Sequence, residues 1–234
     1  MPRKLGNFKR VDGLQTQWES SLSALPFVSK QIYMEVLEFL YDSTTFVFAA
    51  PKRIFNFLEV VPKVNLSYIT KVSLHYTTYG EPLLIEDRQW MYKHRVSWSD
   101  GCRAITKKLT NLRALELTVN WPDENVFLDL RQPFLTPLWQ FRRLFSPGRA
   151  IMDNRGGVIA TRTVKVIFNT HWSEDVYADP AVAKASEELH AAFGLAIERA
   201  ICGWNSDDAM TELHKTWDEH EEWHFFLSFM ATGW

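Results

Sequence analysis

Leu109–Asn120, LTNLRALELTVN, decides how the rest of this chain is read. Leu115, Leu117 and Val119 alternate with Glu116, Thr118 and Asn120. That is the period of a strand. Two other segments share the pattern: Ile69-x-x-Val72-x-Leu74 upstream and Val164-x-Val166-x-x-Asn169 downstream. Val72 and Leu115 are 43 residues apart, and Leu115 and Val164 are 49 apart. Such intervals suit crossover connections rather than hairpins, and helices are legible in front of each strand. Pro51–Val60 precedes the first, with Pro51 at the first helical position and Pro62 as a stop. Trp98–Leu109, with Cys102, Ile105 and Leu109 on one face, precedes the second. Phe134–Phe145 precedes the third, and Ser146-Pro147-Gly148 ends it. Helix–strand order repeated three times predicts an α/β fold with right-handed crossovers and a small, mostly parallel sheet.

The leucine spacing carries a second expectation. Leu112-x-x-Leu115-x-Leu117-x-x-Asn120 matches the core of a leucine-rich repeat. The downstream strand keeps the last half, including Asn169, and the upstream one has Thr77 where the Asn would fall. The spacing exceeds the roughly 20–29 residues of ordinary repeats. A degenerate leucine-rich-repeat-like solenoid with insertions is therefore expected. Towards the C-terminus, Asp179-Pro180 reads as a helix start, with Val182, Ala185, Leu189, Phe193, Ala196 and Ala200 as its stripe and Gly203 just past its end. A last helix begins near Asp207. The expected organisation is one domain over 1–234, with an α/β repeat-like core over 25–170 and helices over 179–230 packed on it as a cap. Tyr79–Trp90, Asn120–Phe134 and Pro147–Gly157 read as linkers.

Leu25–Phe48, LPFVSKQIYMEVLEFLYDSTTFVF, supplies the N-terminal unit. Ile32, Val36, Phe39 and Leu40 form one helical face, Asp42-Ser43 stops the helix, and Thr44–Phe48 favours a strand. The run Gln31-Ile32-Tyr33, Glu35, Leu40-Tyr41 and Phe46-Val47-Phe48 resembles a signature of large, mostly uncharacterised fungal families with F-box-like N-termini. Ser29-Lys30 stands where members carry Cys or Arg-Cys, and only Leu25-Pro26 remains of their upstream Leu-Pro-x-Glu-Leu helix. The resemblance implies kinship with F-box-type substrate receptors and hence a protein partner. The apolar face of this helix is expected to be core rather than an adaptor-docking surface.

Composition narrows the function classes. At 234 residues, 46% hydrophobic and 23% charged, the chain has the makings of a substantial globular core. A net charge of −2 gives no global pull towards nucleic acid or membrane. Met1–Arg10 is basic and polar with no apolar run after it, and Cys102 and Cys202 are too few for a disulfide framework. An intracellular setting, cytoplasmic or nuclear, is expected. No apolar stretch has the length of a membrane span. Asn65-Leu66-Ser67 is a glycosylation sequon by letters alone.

Three constellations bear on chemistry. His220-Glu221-Glu222-Trp223-His224 fits H-E-x-x-H, in which His220 and His224 would bind zinc one helical turn apart. Both also continue the stripe Met210, Leu213, Trp217, which makes them packing residues. Cys102 and Cys202 lie on an apolar face and at a helix end, the places of inert thiols. Arg131, Arg142, Arg143, Arg149, Arg155, Arg162 and Lys165 make a basic segment whose phosphate-binding candidates are Arg142, Arg143, Arg149 and Arg155. No G-x-S-x-G, Walker A or G-x-G-x-x-G motif is present, so no cofactor is expected. The reading is a non-catalytic protein-interaction module. A hydrolase using metal or a Cys/His pair, and a nucleic-acid binder using Arg131–Lys165, are the alternatives.

Overall fold

A computed structural model of the chain describes residues 29–79, 84–122, 128–146, 162–170 and 179–223. It divides into two units, Met1–Leu40 and Tyr41–Trp234. His224, Arg149, Arg155 and the whole Pro147–Gly157 linker lie outside the described residues.

Helix α1, Lys30–Ser43, starts where the Ser29 hydroxyl accepts a hydrogen bond from the Ile32 N–H at 3.2 Å. Phe39 is 64% exposed, and none of the described α1 side chains is buried. The expectation that its apolar face is core is therefore corrected: Ile32, Val36 and Leu40 are covered only in part. At its end the Asp42 carbonyl accepts a hydrogen bond from the Thr70 hydroxyl at 3.0 Å, which ties the turn before β1 to the start of β2.

Strands β1 (Thr45–Phe48), β2 (Lys71–Thr77), β3 (Ala114–Trp121) and β4 (Thr163–Thr170) form one sheet in the order β1-β2-β3-β4, every neighbour parallel. This is the parallel α/β sheet predicted from Leu109–Asn120 and its two relatives. Helix α2, Pro51–Val60, and the single turn α3, Lys63–Leu66, join β1 to β2. Ile54 and Leu58 bury the inner face of α2. Helix α4, Ile85–Lys108, joins β2 to β3 and is 24 residues long. It begins inside the segment that the sequence marks as the linker Tyr79–Trp90. Its first half exposes Trp90, Tyr92 and Val96, so no apolar stripe announces it; burial begins only at Trp98. Glu86 and Asp87 in the first turn and Lys107 and Lys108 in the last suit the helix dipole.

The β3–β4 connection also departs from expectation. In place of one helix over Phe134–Phe145 there are two 3-10 turns, Pro133–Leu135 and Leu138–Phe141, and one α-turn, α5, Arg142–Phe145. Pro133 and Pro137 each remove a backbone donor, so an i→i−4 ladder cannot run through them. Phe134, Leu135, Leu138 and Phe141 are buried all the same.

Helix α6, Pro180–Ile201, is capped by Asp179, whose carboxylate accepts from the Ala181 N–H at 2.8 Å. It ends at Gly203, which takes φ 94°, a left-handed conformation that glycine tolerates best. Helix α7, Ser206–Glu219, packs along α6 and is capped by Asn205, which accepts from the Asp208 N–H at 2.8 Å. Gly194 lets α6 press on β4: a Cβ there would stand 2.8 Å from the Val166 carbonyl oxygen.

Candidate functional site

The register sorts the sheet into two faces. Phe48, Leu74, Leu117 and Val166 share one row on the first face, and Tyr76, Val119 and Phe168 share the next. Ring contacts show what covers this face: Phe48 meets Phe57 of α2 at 5.2 Å, and Tyr76 meets Trp98 of α4 at 5.1 Å. Trp121 meets Phe134 at 4.7 Å and Phe168 meets Phe193 of α6 at 4.9 Å. Each connection thus lays its rings on the same side of the sheet.

The second face carries Val47, Ser73, Glu116 and Lys165 in one row and His75, Thr118 and Ile167 in the next. Thr77, Asn120 and Asn169 close it at the carboxyl end. Val47 is 57% exposed and Ile167 45%, and Glu116 and Lys165 are exposed. Parallel sheets usually bury both faces and read as continuous apolar runs; among the described residues β3 and β4 alternate, with Glu116, Lys165 and Ile167 exposed, while Ser73 of β2 on the same face is buried. Glu116 and Lys165 are register partners that form no ion pair among the described residues. The Asn169 amide donates to the Asn120 side-chain oxygen at 3.1 Å. The two asparagines thus bond each other across strands.

A cavity of about 250 Å³ opens at the carboxyl ends of β2 and β3. Tyr76, Trp121 and Phe134 form its inner wall, and Arg88, His94 and Arg95 of α4 line another side. Burial holds the His94 imidazole below its ordinary pKa, so it is neutral near pH 7. The Trp98 indole N–H donates to His94 Nε2 at 3.1 Å, which places the imidazole proton on Nδ1. The ring stacks with Tyr76 at 6.0 Å and meets Tyr79 edge-on at 5.1 Å. No motif marks this site. The available signal was the rule that open α/β sheets bind ligands beyond the carboxyl ends of their strands.

Among the described residues, those singled out by sequence, His220, Arg142 and Arg143, fall elsewhere. His220 is the cap residue after α7, not an interior helical position, and Glu221–Trp223 follow as a 3-10 turn. H-E-x-x-H chemistry needs a continuous helix to align its ligands, and α7 stops before the motif. His220 Nε2 lies 2.8 Å from a Glu188 carboxylate oxygen on α6, and that bond holds the carboxyl below its usual range. Among the described residues no group of three or more His, Cys, Asp or Glu side chains could hold a metal.

The Arg142 guanidinium donates to the Ala200 carbonyl at 2.9 Å, in the last turn of α6, and lies 4.5 Å from the Trp139 ring. Arg162 donates to the carbonyls of Leu144 and Thr110, and Arg131 pairs with Asp129 at 2.7 Å. Arg142 and Arg162 thus tie distant segments together, while Arg131 makes a local, exposed pair. Arg143 is exposed. Burial raises both thiols, that of the wholly buried Cys102 and that of Cys202 at the end of α6, with Glu198 adding to the second. Neither is a thiolate at neutral pH.

Residues 5–143 match the model of a family described as a domain of unknown function (DUF7730). No curated protein and no solved structure matches the chain.

Proposed function

The chain belongs to that family of unknown function, and we propose that it is a non-catalytic, intracellular protein-interaction module that offers the open face of its parallel sheet to a polypeptide. The observation that carries this reading is the alternation of burial along β3 and β4, which leaves Glu116, Lys165 and Ile167 exposed. The open face mixes exposed apolar side chains (Val47, Ile167) with an unpaired Glu116–Lys165 couple and the Asn120–Asn169 amides. Apolar contacts beside donors, acceptors and charges of both signs suit a polypeptide better than a polyanion. Repeat proteins use their sheet or concave faces in this way. The resemblance of Leu25–Phe48 to F-box-associated families supports a role akin to that of a substrate receptor. Among the described residues no helix is long and apolar enough to cross a membrane.

The other readings have less behind them. A thiol hydrolase has no activated sulfur in Cys102 or Cys202, and His220 is engaged by Glu188. Of the arginines that a nucleic-acid binder would use, Arg142 bonds the Ala200 carbonyl and Arg143 is exposed.

The test places a photo-crosslinking residue at Ile167 on the open face, or at Val60, which is 80% exposed on α2. Ile167 is expected to capture one polypeptide from cell extract, and Val60 not. Combining Glu116→Lys with Lys165→Asp should weaken that capture by about tenfold or more, as loss of matched charge at an interface does. Equal capture from Val60, or capture indifferent to the charge swap, would overturn the proposal.

A further inference from the structure

We propose that the chain pairs with a second copy of itself along the outer edge of β1, antiparallel and about a two-fold axis, so that two sheets become one. The hydrogen bonds of the sheet fix which backbone groups that edge presents. The Thr78 N–H donates to the Asn120 carbonyl, and the Thr70 carbonyl accepts from the Ala114 N–H. Even-numbered residues of β2 therefore serve β3, and its odd-numbered residues serve β1. In a parallel ladder a residue bonds the two neighbours of its register partner, not the partner itself. Lys71 and Ser73 stand opposite Thr45 and Val47, so Phe46 and Phe48 bond β2. Thr45 and Val47 turn their N–H and carbonyl groups away from the sheet. Among the described residues none of these groups has a hydrogen-bond partner. Both side chains are exposed as well, Val47 to 57%. Proteins ordinarily blunt such an edge with charge, proline, a bulge or a covering element. At the opposite edge α6 covers β4: Gly194 presses on the Val166 carbonyl, and the Glu198 carboxylate interacts with the Val166 N–H. Thr45-Phe46-Val47-Phe48 has neither charge nor proline.

A second copy answers this edge better than a foreign peptide does. Place Phe46 opposite Phe46 of the second copy. Thr45 then stands opposite Val47 of the second copy, and Val47 opposite its Thr45, each as a hydrogen-bonded pair. Every outward group of the strand is met by the same groups of the copy. The β-branched side chains of Thr45 and Val47 meet on the open face, and Phe46 takes the closer, non-hydrogen-bonded position on the covered side. Its half-buried ring already stacks on Tyr41 at 5.7 Å and meets Phe57 at 5.0 Å, so pairing joins two half-covered ring clusters into one. With no charge in the strand, nothing in it repels across the axis. A flexible peptide must be ordered to make the same few bonds, whereas a copy brings a strand already built. The pairing leaves both open faces on one side of the joined sheet and does not cover Glu116, Lys165 or Ile167, which lie on β3 and β4. It therefore stands apart from the polypeptide proposed for that face.

The experiment is sedimentation equilibrium of the purified, intact chain over a range of concentrations. The mass should rise from that of one chain to that of two. A mass of one chain at every concentration up to about 1 mM overturns the assignment. Val47→Pro removes an outward N–H that β2 does not use, once in each copy, and should weaken the dimer by about tenfold or more. A dimer indifferent to Val47→Pro has its interface elsewhere and overturns the assignment too. Where Val47→Pro does not fold, amide hydrogen exchange in the unaltered chain decides the matter. The Thr45 and Val47 amides should exchange more slowly at high concentration than on dilution; exchange at both that is independent of concentration overturns the pairing.

Discussion

His190 is a neutral histidine inside the fold. Its Nε2 lies 3.1 Å from the Thr170 hydroxyl, its ring packs 5.6 Å from Phe168, and burial pushes its pKa down to about 4. The unfolded chain takes up a proton near the ordinary 6.5, so between these values the unfolded state binds more protons than the native one. Stability from this residue is complete above about 6.5 and is lost as pH falls towards 4, at about 1.4 kcal/mol for each pH unit. Denaturant unfolding at pH 7 and pH 5 should show His190→Asn less stable at pH 7 but with a flatter fall between the two. An unchanged slope would mean that His190 is not the buried base described. At this scale the sequence was legible in part. Asp179 as a cap, Gly203 past a helix end and Cys102 on an apolar face were all readable, because each follows from local backbone chemistry. His94 and Arg95 were not, because a cavity is made by residues that meet only after folding.

Among the elements, the α6–β4 contact is the tightest place in the described structure to test. Alanine is ordinarily better than glycine inside a helix by about 1 kcal/mol. At Gly194 the sign reverses, because the added carbon would stand 2.8 Å from the Val166 carbonyl, a backbone atom that cannot rotate away. Overpacking of this kind costs about 1–3 kcal/mol. Gly194→Ala is therefore expected to lower the thermal midpoint measurably; a midpoint equal to or above that of the parent would show that α6 does not lie so close to the sheet. Strands were the elements easiest to read, since Leu115, Leu117 and Val119 announce their period in a few residues. The first half of α4 hid because Ile85–Ser97 buries little and so carries no stripe. The Phe134–Phe145 segment misled in the opposite sense: its aromatics have helical spacing and are buried, but Pro137 breaks the ladder they would need.

For the unit Tyr41–Trp234 taken whole, the decisive fact is that all described connections cover the same side of the sheet. Parallel order and crossover helices were legible, because intervals of 43 and 49 residues admit few other topologies. Which side stays open was not legible, because it depends on where the connections pack after folding. The account rests on that face being open in the free chain and occupied in the complex. The direct measurement is thiol labelling of Ile167→Cys, beside Val60→Cys, in a Cys202→Ser background. Ile167→Cys should react in the free chain at a rate near that of Val60→Cys, and should become protected when the captured polypeptide is added while Val60→Cys stays reactive. Slow labelling of Ile167→Cys in the free chain, or protection of Val60→Cys in its place, would contradict the account.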